Sequence, residues 1–269
     1  MASLRERYGN WALVAGAAEG LGEGFTNFLA AEGFNIIMVD VNPKAMAELA
    51  RGIRQNFKVE TVEIVLDLAG SDAAETCMKA AADKDCRLMI YVAAYSKVSR
   101  FADLEPSDLN GFLAVNTHTL LHLVHGFSKR LIASKQQGGI LLVSSLAGLI
   151  GPQFVATYAA TKSFGIRLAE ALHSELKVHD IDITTCCAGT VSTPKYWESQ
   201  PNFDRMKPPI MQPSEVAEYA LFKLGKQPVC IPGLTNRLQY LFLMNLIPRK
   251  LASRLVNNAM EKMYGAGLR

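Results

Sequence analysis

Short apolar runs alternate along the chain with longer segments in which apolar residues recur at helical spacing. The apolar runs occupy residues 11–15, 35–40, 62–66, 88–94, 140–144, 181–187 and 229–231. Most of these runs are apolar at consecutive positions, which is typical of parallel strands covered by helices on both faces. The helical segments between them complete β-α-β units. The pattern therefore predicts an α/β fold built on a doubly wound parallel sheet.

No proline- or glycine-rich linker divides the chain into comparable halves, so we expect a single domain over residues 1–269. Two regions depart from the alternation. Residues 194–213 hold five prolines together with Tyr196, Trp197 and Phe203, and their length is typical of a lid over an active site. Residues 234–269 form a C-terminal extension that is first apolar and then amphipathic.

Composition narrows the class of protein. The 269 residues are 49% apolar and 20% charged, with a formal net charge of +3. A chain of this length and composition can bury a large core, which excludes a disordered chain and a strongly basic nucleic-acid arm. We expect no nucleic acid among its partners.

The cysteines indicate the compartment. Their number is five, they form no C-x-x-C pair, and they lack the spacing of zinc ligands. The N-terminus also lacks the long apolar stretch of a secretory signal, and no stretch reaches the ~20 apolar residues of a membrane span. We therefore predict reduced thiols, no bound metal and a cytoplasmic location.

The first apolar run ends in a glycine turn, in which Gly16, Gly20 and Gly22 have the spacing G-x-x-x-G-x-G. Glycine permits a tight strand-to-helix turn and a close approach of backbone to a pyrophosphate, and the following helix supplies N–H donors. A turn that only allows close helix packing is the alternative. The position directly after a strand favours dinucleotide binding.

An acidic residue, Asp40, ends the second apolar run, 18 positions after Gly22. A carboxylate at this point can accept the hydroxyl groups of an adenosine ribose, and it would repel a 2′-phosphate. Glu19 within the glycine turn also opposes extra negative charge, whereas Lys44 is the nearest basic residue. The alternative is that Asp40 only caps the turn before Pro43. We predict NAD as the cofactor, with NADP less favoured.

A serine, a tyrosine and a lysine have the types and spacing needed for proton transfer. Ser145 ends the fifth apolar run, and Tyr158 and Lys162 lie at i and i+4 of the next helical segment, on one face. An ammonium beside a phenol favours the phenolate, which lowers the pKa of the tyrosine. The phenol could then exchange a proton with an alcohol or ketone while Ser145 holds the substrate oxygen.

Together these residues resemble the short-chain dehydrogenase/reductase family from about Trp11 to the end of the chain. The family's glycine turn, acidic residue after the third strand, helix asparagine, serine, Y-x-x-x-K pair and turn after the sixth strand match Gly16 to Gly22, Asp67, Asn116, Ser145, Tyr158 with Lys162, and Ala188 with Gly189. The resemblance implies a Rossmann-type sheet of seven parallel strands in the order 3-2-1-4-5-6-7.

The resemblance also implies roles for individual residues. Tyr158 would be the acid/base, Lys162 would bind the nicotinamide ribose, Ser145 would position the substrate oxygen, and Asn116 would hold a water in a proton relay. The cofactor contacts would fall on Gly16, Gly20, Leu21 and Gly22, on Asp40, on Asp67 and Leu68 against adenine, on Ala93, on Tyr158 and Lys162, and on Val191 and Thr193 at the nicotinamide carboxamide.

The chain departs from the family pattern at three places. Residues 91–94 read Tyr-Val-Ala-Ala where the family has Asn-Asn-Ala-Gly, Ala15 stands for threonine, and Ala188 stands for proline. These changes remove a sheet brace and alter the backbone beside the cofactor ribose, but they remove no proton-transfer group. They support an alternative in which the protein is a non-catalytic dinucleotide-binding subunit or sensor.

Three histidines, His118, His122 and His125, follow Asn116 at helical spacing. No carboxylate or cysteine joins them nearby, so we interpret them as packing or interface residues rather than metal ligands. By resemblance, this helix lies in a subunit interface, which predicts a homodimer or a homotetramer.

The tail is amphipathic and basic. After Pro248, five basic residues oppose Glu261 alone, which is a net charge of five minus one, or +4, and Leu251, Leu255, Ala259 and Met263 form one stripe. Such a helix could cover a substrate pocket, pack in a dimer interface, or contact a membrane surface peripherally. The tail looks like that of family members with lipidic or steroidal substrates. We therefore expect hydride transfer between NAD and a hydrophobic secondary alcohol or ketone that is acyl, lipid or cyclic.

Overall fold

A computed structural model describes residues 3–203 and 207–268. Its central feature is a parallel sheet of seven strands in the order β3-β2-β1-β4-β5-β6-β9. These strands are β1 (Trp11–Ala15), β2 (Asn35–Asp40), β3 (Thr61–Val65), β4 (Leu88–Tyr91), β5 (Gly138–Ser145), β6 (Ile181–Ala188) and β9 (Val229–Cys230). Each overlaps one of the seven apolar runs, although β4 ends at Tyr91 and the run continues to residue 94. The α/β class and the strand order implied by the family resemblance are both confirmed.

Two further strands were not predicted. β7 (Thr190–Val191) and β8 (Ile210–Met211) pair in parallel as a separate ribbon, with Thr190 opposite Ile210. Each is two residues long, which is too short to give a periodic signal in the sequence. The ribbon joins the end of β6 to the far end of the 194–213 segment. That segment is therefore more regular than its prolines suggested.

Helices cover both faces of the sheet. They are α1 (Leu4–Tyr8), α2 (Leu21–Ala31), α3 (Pro43–Phe57), α4 (Ala73–Asp83), α5 (Pro106–Leu113), α6 (Leu120–Ser134), α7 (Ala147–Ile150), α8 (Ala156–Lys177), α9 (Pro194–Glu198), α10 (Pro213–Lys223), α11 (Leu234–Leu241) and α12 (Arg249–Tyr264). A 3₁₀ turn spans Phe101–Asp103, and π-helical turns span Ala114–Thr119 and Phe242–Leu246. No helix among the described residues is long and apolar enough to cross a membrane.

The core lies in two layers, because successive side chains of a strand point to opposite faces of the sheet. In β1, Val14 packs with α2 and α10 residues on one face, and Leu13 packs with α4 and α6 residues on the other. Both side chains are fully buried, which explains why the strands carry no polar alternation. All five cysteines are free and buried.

The strand order reverses between β1 and β4, the neighbours at the centre of the sheet. From β1 the chain moves outwards to β2 and β3, and it then crosses back to β4. The loops after β1 and β4 therefore diverge and leave a crevice at the carboxyl ends of the strands, where open α/β sheets bind ligands.

Candidate active site

The glycine turn is shaped by close backbone packing. Gly16 has φ +83°, and a Cβ placed on it would lie 2.7 Å from the Ala93 Cα; a Cβ on Gly22 would lie 1.7 Å from the Gly16 carbonyl oxygen. No larger residue fits at either place without moving the backbone. The packing role weighed as the alternative is therefore real. It also presents the N-terminus of α2, beginning at Leu21, to the crevice.

Asp40 at the end of β2 organises the neighbouring turns. Its Oδ2 accepts from the Ala18 N–H (2.9 Å), and its Oδ1 accepts from the Asn42 N–H (3.0 Å). The N-cap of α3 is Asn42, whose Oδ1 accepts from the Ala45 N–H. Asn42 also donates from Nδ2 to Glu19 Oε1 at 2.9 Å. Two carboxylates, Asp40 and Glu19, are thus held beside each other at this end of the crevice.

A cavity of about 1540 Å³ fills the crevice. The residues predicted from the sequence that line it are Gly16, Gly20, Leu21, Gly22, Asp40, Asp67, Leu68, Ala93, Ser145, Tyr158, Lys162, Val191 and Thr193. They come from loops spread over nearly 180 positions of the chain, and the sheet brings them to one edge. Their roles in binding and catalysis stay predictions.

Tyr158 and Lys162 lie one turn apart at the start of α8; Lys162 is buried, and Tyr158 is partly buried in the wall of the cavity. The Lys162 ammonium is 5.7 Å from the centre of the Tyr158 ring and donates to the Val143 carbonyl at 2.9 Å. The chemistry expected from the sequence needs the ammonium to favour the phenolate. Here the nearest partner of that ammonium is the backbone of β5, beside Ser145.

Burial sets the acid–base properties of this pair. Desolvation raises the pKa of Tyr158 to about 12, with a hydrogen bond from Ser145 acting in the opposite direction. Desolvation also lowers the pKa of Lys162 to about 8. Burial thus acts against the lowered tyrosine pKa expected from the sequence, because it disfavours the phenolate more strongly than the neighbouring groups favour it.

Asn116 does not line the cavity. It is buried in the π-helical turn between α5 and α6, where its Oδ1 accepts from the Tyr95 N–H (2.7 Å) and its Nδ2 donates to the Tyr95 carbonyl (2.9 Å) and to Thr161 Oγ1 (3.0 Å). The carboxamide thus fixes the chain that follows β4. The water relay implied by the family stays a prediction.

The altered 91–94 segment has its own brace. The Tyr91 hydroxyl donates to the Val115 carbonyl at 2.6 Å, which ties the end of β4 to the π-helical turn. This tyrosine therefore braces the end of β4, where the asparagines of the family pattern are missing. No local pattern indicates this contact, because it joins positions 24 apart through a helix whose placement depends on the whole sheet.

A second group missed by sequence reasoning stabilises the wall of the cavity after β4. Asp108 is buried at the start of α5, where it accepts from the Tyr95 hydroxyl (2.6 Å) and the Lys97 ammonium (2.6 Å). These two donors, Lys97 first, hold the pKa of Asp108 at about 2. Tyr95 and Lys97 both line the cavity, so the buried carboxylate fixes their positions.

The 194–213 segment and the C-terminal extension close the cavity on its outer side. Tyr196 lines it, whereas Trp197, which had suggested an apolar lid, is 47% exposed and does not. Positions 204–206 of this segment lie outside the described residues. Of the four residues predicted to form one stripe on the tail, Leu255, Ala259 and Met263 line the cavity, but Leu251 does not.

The three histidines lie on the outer surface of the π-helical turn and α6. All three are exposed, and the rings of His118 and His122 have centres 4.4 Å apart. Among the described residues, no three His, Cys, Asp or Glu side chains are grouped so as to hold a metal ion.

Comparison with known proteins defines the family. Residues 10–202 match the family model described as short chain dehydrogenase. The chain is 31% identical over 238 residues to a 7beta-hydroxysteroid dehydrogenase of Collinsella aerofaciens, covering 87% of this chain and 90% of that protein.

Two solved structures are also similar. One, from "Structural and biochemical insights into 7beta-hydroxysteroid dehydrogenase stereoselectivity", has a TM-score of 0.86 and 28% identity, covering 95% of this chain and 99% of that chain. A short-chain dehydrogenase from Sphingobium yanoikuyae in complex with NADPH has a TM-score of 0.76 at 21% identity, covering 86% and 90%, and shows the fold alone. The chain belongs to the short-chain dehydrogenase family, the oxidoreductases that transfer hydride to and from a nicotinamide dinucleotide.

Proposed function

We propose that this protein interconverts a hydrophobic secondary alcohol and its ketone with NAD as cofactor. The observation that carries the proposal is the meeting of Ser145, Tyr158 and Lys162 with the glycine turn and Asp40 in one cavity. One end of that cavity has the donors and carboxylates that suit a dinucleotide, and the other has a phenol and a hydroxyl that suit a reacting oxygen.

The residues of this chain would handle the proton and the substrate oxygen. When bound, the nicotinamide supplies or accepts the hydride. In reduction, Ser145 donates a hydrogen bond to the carbonyl oxygen, and Tyr158 gives its proton to that oxygen as the alcohol forms. In oxidation, the phenolate of Tyr158 takes the proton back. Lys162 would bind the nicotinamide ribose, and Val191 and Thr193 would meet the carboxamide.

The preference for NAD is argued from charge. Asp40 and Glu19 are held beside each other by Ala18 and Asn42. A 2′-phosphate placed near these carboxylates would be repelled, whereas ribose hydroxyls could donate to them. The Sphingobium relative was solved with NADPH, and its likeness to this chain extends to the fold alone.

Calorimetric titration with NADH and with NADPH tests the cofactor. We expect NADH to bind at least tenfold more tightly, because a like-charge contact of this kind costs about 1.4 kcal/mol or more. Asp40→Asn should narrow the ratio by weakening NADH and strengthening NADPH, and Asp103→Asn serves as an exposed control. Tighter binding of NADPH would refute the preference, and binding of neither would favour the non-catalytic alternative.

The substrate is proposed to be apolar because of the outer part of the cavity. Its walls there include Ile150, Pro152, Val155, Val256 and Met260. The Collinsella relative is named for activity on a hydroxysteroid, which is a bulky apolar alcohol. A panel of ketones tests the class: bulky cyclic ketones should have higher kcat/KM than small charged ones, and the reverse order would contradict the proposal.

Replacement of Tyr158 by Phe separates an enzyme from a non-catalytic subunit. The variant keeps the ring but loses the proton, so turnover should fall by about a thousandfold or more while cofactor affinity stays within about twofold. Tyr219→Phe, a half-buried tyrosine on α10, is the matched control. Full activity of the Tyr158 variant would show that another group moves the proton.

The proposal includes one domain over residues 1–269, with 194–213 as a lid, 234–269 as a cover over the substrate, and a cytoplasmic location. It also includes a homodimer or homotetramer. Exposed Leu113, Leu121 and Phe164 lie on α5, α6 and α8, the region that the family resemblance assigns to the interface. Light scattering of the purified protein measures the mass directly, and a monomer at micromolar concentration would refute the oligomer.

Peripheral membrane contact is proposed for the outer face of the extension. Leu238, Leu241 and Leu246 are 56%, 49% and 73% exposed, and they lie near the exposed basic residues Arg237 and Lys250. Exposed apolar and basic residues together suit an anionic lipid surface. Flotation with anionic vesicles should recover the protein, and Leu238→Ser with Leu246→Ser should abolish recovery. Equal recovery with neutral vesicles, or none, would refute the contact.

A further inference from the structure

Helix α12 forms a roof over the outer end of the cavity, with Val256, Ala259, Met260 and Met263 facing it. Of the residues of α12, all of which the structure describes, only Ala252 is buried. A helix with so little buried apolar surface is weakly held by packing, so its position depends on specific polar contacts.

Such contacts are present on one side of the roof, at the turn between α7 and α8. The Gln153 N–H donates to Asn257 Oδ1 at 2.9 Å, and Gln153 Nε2 donates to the Asn257 carbonyl at 2.8 Å and to Glu261 Oε2 at 3.4 Å. Gln153 and Asn257 are 104 positions apart. We call their two hydrogen bonds the clasp, because they join the roof to the body of the protein.

On the other side, the roof meets the segment that follows α9. The Ser199 and Tyr264 hydroxyls are 3.1 Å apart, and the Asn202 N–H donates to the Met263 carbonyl at 3.0 Å. These contacts attach the end of α12 to the lid. The clasp differs from these contacts because Gln153 lies next to α8, the helix that carries Tyr158.

The turn that contains Gln153 is itself held firmly. Phe154 has φ +66°, and its carbonyl accepts from the Ser99 N–H at 2.8 Å, which ties the turn to the wall that follows β4. Val155 is the N-cap of α8, and Tyr158 lies one turn further on. The clasp therefore sets the roof relative to the tyrosine that would meet the substrate.

We propose that Gln153 and Asn257 are specificity-determining positioning residues: their clasp fixes the roof over the substrate end of the cavity and thereby selects bulky apolar substrates that fill it. The inference rests on the proposed function for the substrate class. Neither residue contacts the reacting atoms, so the clasp acts on substrate binding more than on the chemical step.

The test compares four single-residue variants of the protein. Asn257→Ala removes the side-chain acceptor for the Gln153 N–H, whereas Asn257→Asp retains an acceptor oxygen at that place. Asn258→Ala, on the exposed face of the same helix, makes the same chemical change without touching the clasp. Gln153→Ala removes the other half of the clasp, the side-chain donor to the Asn257 carbonyl, and gives an independent reading.

We expect Asn257→Ala and Gln153→Ala to raise KM for a bulky cyclic ketone about fivefold, with kcat within about twofold and KM for a small ketone unchanged. Asn257→Asp and Asn258→Ala should behave like the wild type. Equal KM changes for both ketones, or the same change in Asn258→Ala, would overturn the inference.

Hydrogen exchange of the α12 amides gives a readout that needs no turnover. Exchange should be faster in Asn257→Ala and Gln153→Ala than in Asn258→Ala, because the roof then opens more readily. Identical exchange in all variants would overturn the clasp. If the wild type reduces no ketone, the proposed function fails, and a clasp that still passes this measurement would be reduced to a structural contact, which refutes its role in specificity.

Discussion

Tyr158 and Lys162 lie on one face of α8, where Lys162 is buried and Tyr158 is partly buried. Burial favours the neutral form of each residue, so the pKa of the phenol rises to about 12 and the pKa of the ammonium falls to about 8. The oxidised nicotinamide carries a positive charge, and a cation placed beside the phenol would favour the phenolate. The cofactor would therefore supply part of the activation that the sequence pattern had assigned to the lysine.

This arrangement predicts opposite pH dependences for the two directions of reaction. Oxidation needs the Tyr158 phenolate, so kcat/KM for an alcohol should rise with pH over about pH 6 to 10; reduction needs the phenol and should fall at the alkaline end. With NAD bound, the apparent pKa for oxidation should lie below the value of about 12 in the free protein.

Lys162→Met removes the neighbouring cation, so the pH profile for oxidation should move to higher pH. The exposed Lys79→Met is the matched control. Initial rates at saturating cofactor measure both profiles. An oxidation rate that falls with rising pH, or that moves equally in the control, would contradict the role of Tyr158 as base.

At the scale of elements, the sequence predicted the strands well and the contacts between elements poorly. The inner strands β1, β2, β4, β5 and β6 are buried on both faces, so their apolar runs follow directly from their environment, whereas the edge strand β3 is partly exposed, with Val65 58% exposed. The contact of Tyr91 with Val115 leaves no such record, because a tyrosine in an apolar run reads only as a buried residue. The short β7 and β8 ribbon gives no periodicity at all.

The Tyr91 contact can be tested by its removal. Tyr91→Phe keeps the buried ring but leaves the Val115 carbonyl without this donor, so the free energy of unfolding should fall by about 1 to 2 kcal/mol. Because β4 leads into Ala93, which lines the cavity, cofactor affinity should also fall. Urea unfolding and calorimetry measure the two effects, with Tyr219→Phe as control. A variant as stable as the wild type would show that the contact does not brace the sheet.

At the scale of the whole molecule, the cysteine thiols are buried in the interior, and their burial should lower stability at alkaline pH. Burial raises the pKa of Cys77 and Cys86 to about 12, and it raises the pKa of Cys187 further. The pKa of Cys186 is also raised, chiefly by its contact with Cys230. In the unfolded chain these thiols ionise near pH 9. The folded state therefore binds more protons above that pH.

Stability should accordingly fall as pH rises from about 9 towards 12. Lys162 opposes the trend, because its lowered pKa makes the unfolded chain bind one more proton between about pH 8 and 10.5. The buried phenols, Tyr158 among them, add to the fall above about pH 10, because their pKa values are raised as well. Urea unfolding at several pH values measures the slope, which Cys77→Ala should reduce. A flat or rising stability over this range would refute the account.

The sequence by itself determined the features that depend on neighbours along the chain. Three such features are a strand buried on both faces, the glycine turn after it, and a tyrosine and lysine four positions apart on one helix face. Each is specified by residues only a few positions apart. Their signals are therefore complete in the local pattern. The family resemblance added the order of the strands, which the structure confirms.

Tertiary structure alone decided the properties that depend on what packs against a residue. The raised pKa of Tyr158 follows from its desolvation, Asn116 is held beside the cavity by Tyr95, and α12 is bonded to the rest of the protein through contacts such as that of Gln153 with Asn257. Desolvation and hydrogen bonds between distant segments exist only once the sheet has brought those segments together, and no local pattern encodes them.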